Sequence, residues 1–199
     1  MRYKVTEIFQ SIQGEGRYVG LPCNFIRLAG CSVNCKFCDT DKNPHLGELD
    51  EWDIISRLDS RHSCVVLTGG EPTEQFLWHL CSALHKRQYT IHLETSGLNI
   101  FTKCMVDFVT VSPKKETYKR LKNWPDLSAD EVKWLVPIFK PEDILWNLAA
   151  QHWLQPINDN RTLNQENLVL CVQHLKRAVP PRGKTLRLSV QLHKLIGVR

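Results

Sequence analysis

The sequence predicts an α/β protein built from parallel βαβ units. Two patterns point there. Short β-branched runs alternate with helical patterns, and the polar and glycine-rich segments follow the ends of those runs. About six units are visible, fewer than a complete eight-unit barrel of ~250 residues requires. A partial barrel or an open doubly wound sheet therefore remains.

The elements follow in order. Residues 24–28 (NFIRL) read as a strand entering a cysteine-rich loop. Residues 64–67 (CVVL) form a second strand, ending in Gly69-Gly70. Thr73 is then the expected cap of a helix on which Phe76, Leu77, Leu80, Cys81 and Leu84 share a face. Residues 90–94 make a third strand, ending at Ser96-Gly97, and residues 108–111 a fourth, ending at Ser112-Pro113-Lys114. Residues 132–136 make a fifth. Pro141 is placed to open a helix with Glu142 and Asp143 in its first turn, as proline and the helix dipole both favour. A short sixth strand, residues 152–154, leads into Gln155-Pro156. Thr162 and Gln165 form a capping-box pattern ahead of a helix with Leu168, Cys171, Val172 and Leu175 on one stripe. A last strand covers residues 185–190. In α/β folds ligands bind at the carboxyl ends of strands, so the loops named here are expected to line one pocket. No repeat, low-complexity stretch or linker interrupts the chain, and residues 1–199 are expected to form one domain.

Composition narrows the class. Of 199 residues, 42% are hydrophobic and 24% charged, which excludes a disordered chain, a collagen or a coiled-coil rod. No run of about 18 apolar residues occurs, and the first ten residues, MRYKVTEIFQ, lack a leader's apolar stretch. A cytoplasmic location is the expectation, with no membrane partner. Lys and Arg number 26 against 21 Asp and Glu, a net charge of +5. So mild an excess lies below the level that flags a nucleic-acid protein and fits an anionic small molecule as well as it fits RNA. The densest basic run, Lys114, Lys115, Lys119, Arg120 and Lys122, reads as a solvated helix face.

The cysteines carry more. Eight are present, and Cys31, Cys35 and Cys38 fall in one loop while the rest are scattered. In a reducing compartment a tight cluster signals metal binding or catalysis, not disulfides. Soft thiolates suit zinc or iron–sulfur. A structural zinc site wants four ligands; Cys23 is the one candidate, but it lies in or beside a strand and reads as a small core residue. Three thiolates on a four-iron cubane leave one iron open, whereas clusters that only pass electrons are usually closed by four cysteines. A zinc-dependent nucleic-acid-binding module stays as an alternative.

Cys31-x-x-x-Cys35-x-x-Cys38, followed by Gly69-Gly70-Glu71-Pro72 after a strand, resembles the radical S-adenosylmethionine superfamily. Three further stretches, EIFQSIQGEG (residues 7–16), FIRLAGC with CDT (within 25–40) and RLSVQLHKLIGVR (187–199), closely resemble the 7-carboxy-7-deazaguanine synthase family over nearly the whole chain. Another radical enzyme, such as a glycyl-radical activase or a transfer-RNA modifier, is the second alternative, and the SIQGEG and QLHK stretches argue against it.

The resemblance implies an incomplete β/α barrel, a homodimer and an external electron donor of the flavodoxin or ferredoxin class. It implies conversion of 6-carboxy-5,6,7,8-tetrahydropterin to 7-carboxy-7-deazaguanine with loss of ammonia, using a 4Fe-4S cluster, S-adenosylmethionine and Mg2+. By resemblance Cys31, Cys35 and Cys38 ligate the cluster, and Thr40 ligates magnesium with Asp39 assisting. Phe37, Cys38, Asp39, Gly69, Gly70, Glu71, Gly97, Ser112, Pro113, Lys114, Gln155, Pro156, Ile157 and Asn158 surround S-adenosylmethionine. Substrate falls to Ile12, Gln13, Gly14, Glu15, Arg27, Thr95 and His193, with the terminal carboxylate of Arg199 as a further contact. Arg27 has a physical argument of its own: a fork of donors on an apolar strand needs a partner, either the pterin carboxylate or an internal acid. Where family members often read QTHK this chain reads Gln191-Leu192-His193-Lys194, which keeps His193.

Overall fold

A computed structural model describes residues 1–38, 40–99, 103–126, 128–158 and 162–198. Its strands are β1 (Arg2–Ile12), β2 (Pro22–Leu28), β3 (Gly47–Asp50), β4 (Cys64–Gly69), β5 (Thr90–Thr95), β6 (Phe108–Val111), β7 (Glu131–Val136), β8 (Gln151–Pro156) and β9 (Thr185–Leu188). Its helices are α1 (Glu51–Ser56), α2 (Trp78–His85), α3 (Lys115–Leu121), α4 (Gln165–Arg177) and α5 (Leu192–Leu195). The strands order as β3-β1-β2-β4-β5-β6-β7-β8-β9 in a sheet that does not close, as the partial-barrel expectation requires. β2 with β4, β4 with β5, and the pairs from β6 to β9 run parallel. The edge strand β3 pairs antiparallel with β1.

The chain divides into two compact units, Met1–Ser11 with Pro22–Val109, and Ile12–Leu21 with Thr110–Arg199. In the first, β4 is apolar on both faces, because a parallel strand is covered on both sides. Val65, Val66 and Leu67 are fully buried with Ile26, Leu28, Ile91 and Leu93, and Leu80 and Leu84 of α2 are buried with them. Cys23 of β2 and Cys64 of β4 pack with Val66 and Phe25 as core residues. In the second, all six residues of β7 are buried. Trp134 is its largest fully buried side chain, beside Val132, Leu154 and Cys171 at the same depth.

Several local expectations need correction. Thr73 caps no helix: Pro72–Glu74 is a single 3-10 turn, and α2 starts at Trp78. Thr73 instead donates to Glu71, and Phe76, lying before the helix, is exposed while Leu77, Leu80, Cys81 and Leu84 are buried. Pro141 opens only a 3-10 turn, Pro141–Asp143, because Ile144 turns extended directly after it. Asn164, not Thr162, caps α4, its side chain accepting from the Asn167 N–H. On that helix Cys171 is buried but Val172 is exposed. β9 ends at Leu188, two residues early. β1 and β3 were not foreseen. β1 follows from alternation, with Tyr3 and Val5 inward and Arg2 and Lys4 outward. No described helix is long and apolar enough to cross a membrane.

Candidate active site

In the first unit the cysteine loop leaves β2 and is pinned at several points. The Gly70 N–H donates to Leu28 O at 2.9 Å and the Glu71 N–H to Gly30 O at 2.9 Å, extending the β2–β4 pairing into both loops. The side chain of Gln75 bridges Ala29 O and Lys4, Lys42 Nζ donates to Val33 O at 2.9 Å, and Ser32 donates to Glu74. Val33 is buried and anchors the loop between Cys31 and Cys35. Gly70 is required by proximity: a Cβ there would run into the Gly30 carbonyl and touch Cys31.

The loop cysteines stand at the surface side of the fold, Cys31 and Cys35 half-buried and Cys38 exposed, whereas Cys23, Cys64, Cys81 and Cys171 are sealed in the core. Burial raises the Cys31 thiol above its ordinary range, against the opposing pull of the Val33 backbone bond and Lys42. Among the described residues no three His, Cys, Asp or Glu side chains converge to share one metal ion; a cubane cluster asks only for one thiolate per iron. As a donor set, three accessible thiols on one irregular loop suit an iron–sulfur cluster.

Glu71 is 1% exposed, and its carboxylate accepts from five donors. Oε1 takes the Thr73 N–H and hydroxyl and the Thr95 hydroxyl, at 3.1, 2.6 and 2.6 Å. Oε2 takes the Ser96 N–H and hydroxyl at 2.8 and 2.5 Å. The end of β5 is thereby tied to the Gly-Gly-Glu turn, and the Gly97 N–H donates to Thr95. Arg27 has the internal partner that was one of its two readings: Nε lies 2.8 Å from Glu7 Oε1, and Nη1 donates to Thr40 at 3.3 Å. Phe37 is exposed. Asp39 and Arg199 lie outside the described residues.

In the second unit residues 12–21 form an excursion closed by reciprocal bonds, Gln13 N–H to Leu21 O and Gly20 N–H to Gln13 O, both 2.7 Å. Its Glu15 meets two donors: Lys133 Nζ lies 2.5 Å from Oε2, and Gln191 Nε2 lies 2.7 Å from Oε1. Burial alone would raise the Glu15 carboxyl, but the Lys133 ammonium and the two hydrogen bonds bring it well below the ordinary carboxylate range. Glu131, two residues before Lys133 on β7, accepts from the Arg17 N–H at 2.9 Å, Trp153 Nε1 at 2.7 Å and the Thr110 hydroxyl at 3.0 Å. The C-terminal segment seats on the same turn. Leu192 N–H donates to Gly14 O at 2.9 Å, and a Cβ on Gly14 would strike the His193 ring.

Gln155 accepts from Ser189, whose hydroxyl also accepts from the Gly16 N–H, and Asn158 donates to Gln191 at 3.0 Å. Ile157 O accepts from Asn167 Nδ2. The expected residues 13–15, 155, 158 and 193 thus belong to one network. Pro113 is buried, and Lys114 Nζ donates to Ser112 O at 2.8 Å. Sequence reasoning missed Glu131, Lys133, Ser189 and Gln191. The available signal was EVKWLV, an otherwise apolar strand with opposite charges two apart, which puts both on one face.

No family model matches the chain. Curated relatives do match along its full length. The 7-carboxy-7-deazaguanine synthase of Bacteroides thetaiotaomicron is 34% identical, and that of Buchnera aphidicola subsp. Schizaphis graminum 32%, each covering 100% of both chains. Among solved structures QueE from Escherichia coli superposes with a TM-score of 0.70 and 25% identity, over 96% of this chain and 95% of that one. The fold and the cysteine loop are those of the radical S-adenosylmethionine class. Within it, the chain belongs to the 7-carboxy-7-deazaguanine synthase family. It is therefore an enzyme, and a 4Fe-4S cluster and S-adenosylmethionine follow from the class.

Proposed function

We propose that this chain converts 6-carboxy-5,6,7,8-tetrahydropterin to 7-carboxy-7-deazaguanine with loss of ammonia, in queuosine and deazapurine biosynthesis. One observation carries the reading. The QGEG turn and the QLHK segment, the two stretches by which the family holds substrate, are seated on each other through Gly14 and His193 and through Glu15 and Gln191.

Cys31, Cys35 and Cys38 are the residues to hold the cluster. Gly69 and Gly70, Phe37 to Asp39, Gly97, Ser112 to Lys114 and Gln155 to Asn158 are those to hold S-adenosylmethionine. When bound, the pair supplies one-electron chemistry that removes a hydrogen atom at C6 of the pterin and returns it, so ammonia alone separates substrate from product. Glu71, saturated by donors of its own unit, acts on this site by fixing the turn and Thr95. Gln13 and Glu15 read the polar edge of the pterin, and Ile12, Gly14, Thr95 and His193 line it. Arg27 meets the substrate carboxylate from its bonded position beside Glu7 and Thr40. Thr40 offers magnesium a hard oxygen, with Asp39 assisting. The working form is a homodimer in the cytoplasm, reduced by a flavodoxin- or ferredoxin-class donor.

Anaerobic reconstitution tests the reading. The holoenzyme should contain about four irons and four sulfides per chain, and Cys35→Ala should lose them. With dithionite, S-adenosylmethionine, magnesium and the tetrahydropterin, mass spectrometry should find 7-carboxy-7-deazaguanine. Cleavage of S-adenosylmethionine without that product would overturn the substrate assignment.

A further inference from the structure

We propose that Lys133 is a positioning residue of the substrate site, acting through Glu15 to hold an ionised carboxylate in one direction. The inference rests on the reading that Glu15 contacts substrate, and it adds a residue that neither the motif nor the family resemblance marks.

The geometry carries it. Lys133 lies in the apolar strand β7 and its side chain is 4% exposed. A buried ammonium is costly unless paired. Its partner is not a neighbour on the sheet but Glu15, 118 positions away, at the start of the short 3-10 turn Gly16–Tyr18. The backbone of that turn already has its own grip. Glu131 takes the Arg17 N–H, and Ser189 takes the Gly16 N–H. On β7, residues 131 and 133 share a face; on the turn, residues 15 and 17 meet them in the same spacing. One grip therefore holds main chain, and the other holds a charge.

If fixing the turn were the whole purpose, an apolar pair of similar volume would serve as well or better. What an ammonium adds is control of protonation and direction. The groups facing Glu15 are Lys133 from β7, Gln191 from the segment before α5, and His193 from α5. The 2-amino-4-oxopyrimidine edge of a pterin presents adjacent N–H donors. An ionised carboxylate accepts from both, whereas a protonated one places its own O–H against a donor.

The test is equilibrium binding of 6-carboxypterin, a fluorescent aromatic analogue with no hydrogen at C6, to the anaerobic holoenzyme with S-adenosylmethionine. Lys133→Met should weaken binding about tenfold at pH ~8, the scale of a hydrogen bond to a charged group. The ratio to wild type should widen as pH falls to about 5.5, because the unpaired buried carboxyl then takes up a proton. Glu15→Gln should weaken binding alone, and adding Lys133→Met to it should cost less than about twofold further, since residues that act through one contact are not additive. Lys133→Gln carries the same expectations if the Met variant fails to fold, and Lys133→Arg should restore the wild-type pH profile. Unchanged affinity in the Lys133 variants while Glu15→Gln binds weakly, or strictly additive losses, would overturn the role of Lys133 and leave the substrate reading intact. Unchanged affinity in Glu15→Gln would overturn both.

Discussion

In the unit of Met1–Ser11 and Pro22–Val109 the buried Glu71 carboxylate is held by hydroxyls and backbone N–H groups alone. In the unit of Ile12–Leu21 and Thr110–Arg199, Glu15 meets an ammonium and an amide. The partners of Glu71 lie 2 to 25 positions away; those of Glu15 lie 118 and 176 away. Neutral donors supplied by neighbouring strand ends suffice where the task is to hold two loops together. A charge brought from a distant strand is warranted where the carboxylate itself must stay ionised and aimed. The first unit thus builds by close backbone approach, and the second by buried polar chemistry.

Three measurements put that contrast at risk. The largest effect is expected at Gly70→Ala, where the new Cβ meets a carbonyl that is itself bonded to Glu71. About 4 kcal/mol of stability should be lost, or the chain should fail to fold. A denaturation midpoint within experimental error of wild type would show that the loops are not packed by backbone contact.

Next is acid sensitivity in the second unit. His152 is fully buried between Trp134 Nε1 and Ala149 O. The indole only donates, so Nδ1 must accept and Nε2 must carry the proton. Burial lowers the imidazole from 6.5 to about 4. Between those values the unfolded chain binds the extra proton and the folded one does not, so stability falls as pH falls through the window and returns as it rises. The loss should reach about 3 kcal/mol, read from urea midpoints at several pH values. His152→Gln should flatten that slope, and an unchanged slope would remove His152 from the account.

The smallest effect is expected at Glu71→Gln. An amide must turn an NH2 toward donors that now face an oxygen, costing about 2 kcal/mol. Hydrogen exchange should show the loss at Ser96 and Gly97 first. If the substitution is neutral, the five-donor arrangement is not what holds the end of β5.

Much of the fold was legible because its parallel strands are short apolar or β-branched runs followed closely by glycine or proline. Residues 64–67, 90–94 and 108–111 fall on β4, β5 and β6 for that reason. The helices were read too long. At Thr73 and Pro141 the local capping signal is genuine, but the following residues leave for extended backbone after one turn. The cysteine loop was legible because its ligands are close in sequence. Arg27 stood out as a charge on an apolar strand, and Glu7 beside it did not, since an acid on a strand of alternating polar and apolar residues looks solvated. Lys133 had the same signal as Arg27 and was passed over within an apolar strand. Its partner sits across more than a hundred residues, where periodicity carries no information.

The excursion of residues 12–21 has one more consequence, for the order in which the protein is made. A ribosome delivers these ten residues early, yet everything that seats them arrives late: β7 after residue 130, and Ser189 to His193 later still. The first unit's residues are all made by residue 109, whereas the QGEG turn, closed on itself by the Gln13–Leu21 and Gly20–Gln13 bonds, has no β7 or C-terminal partner until the second unit has been made. In the order of synthesis, the acid-bearing turn is therefore the part whose partners are made last.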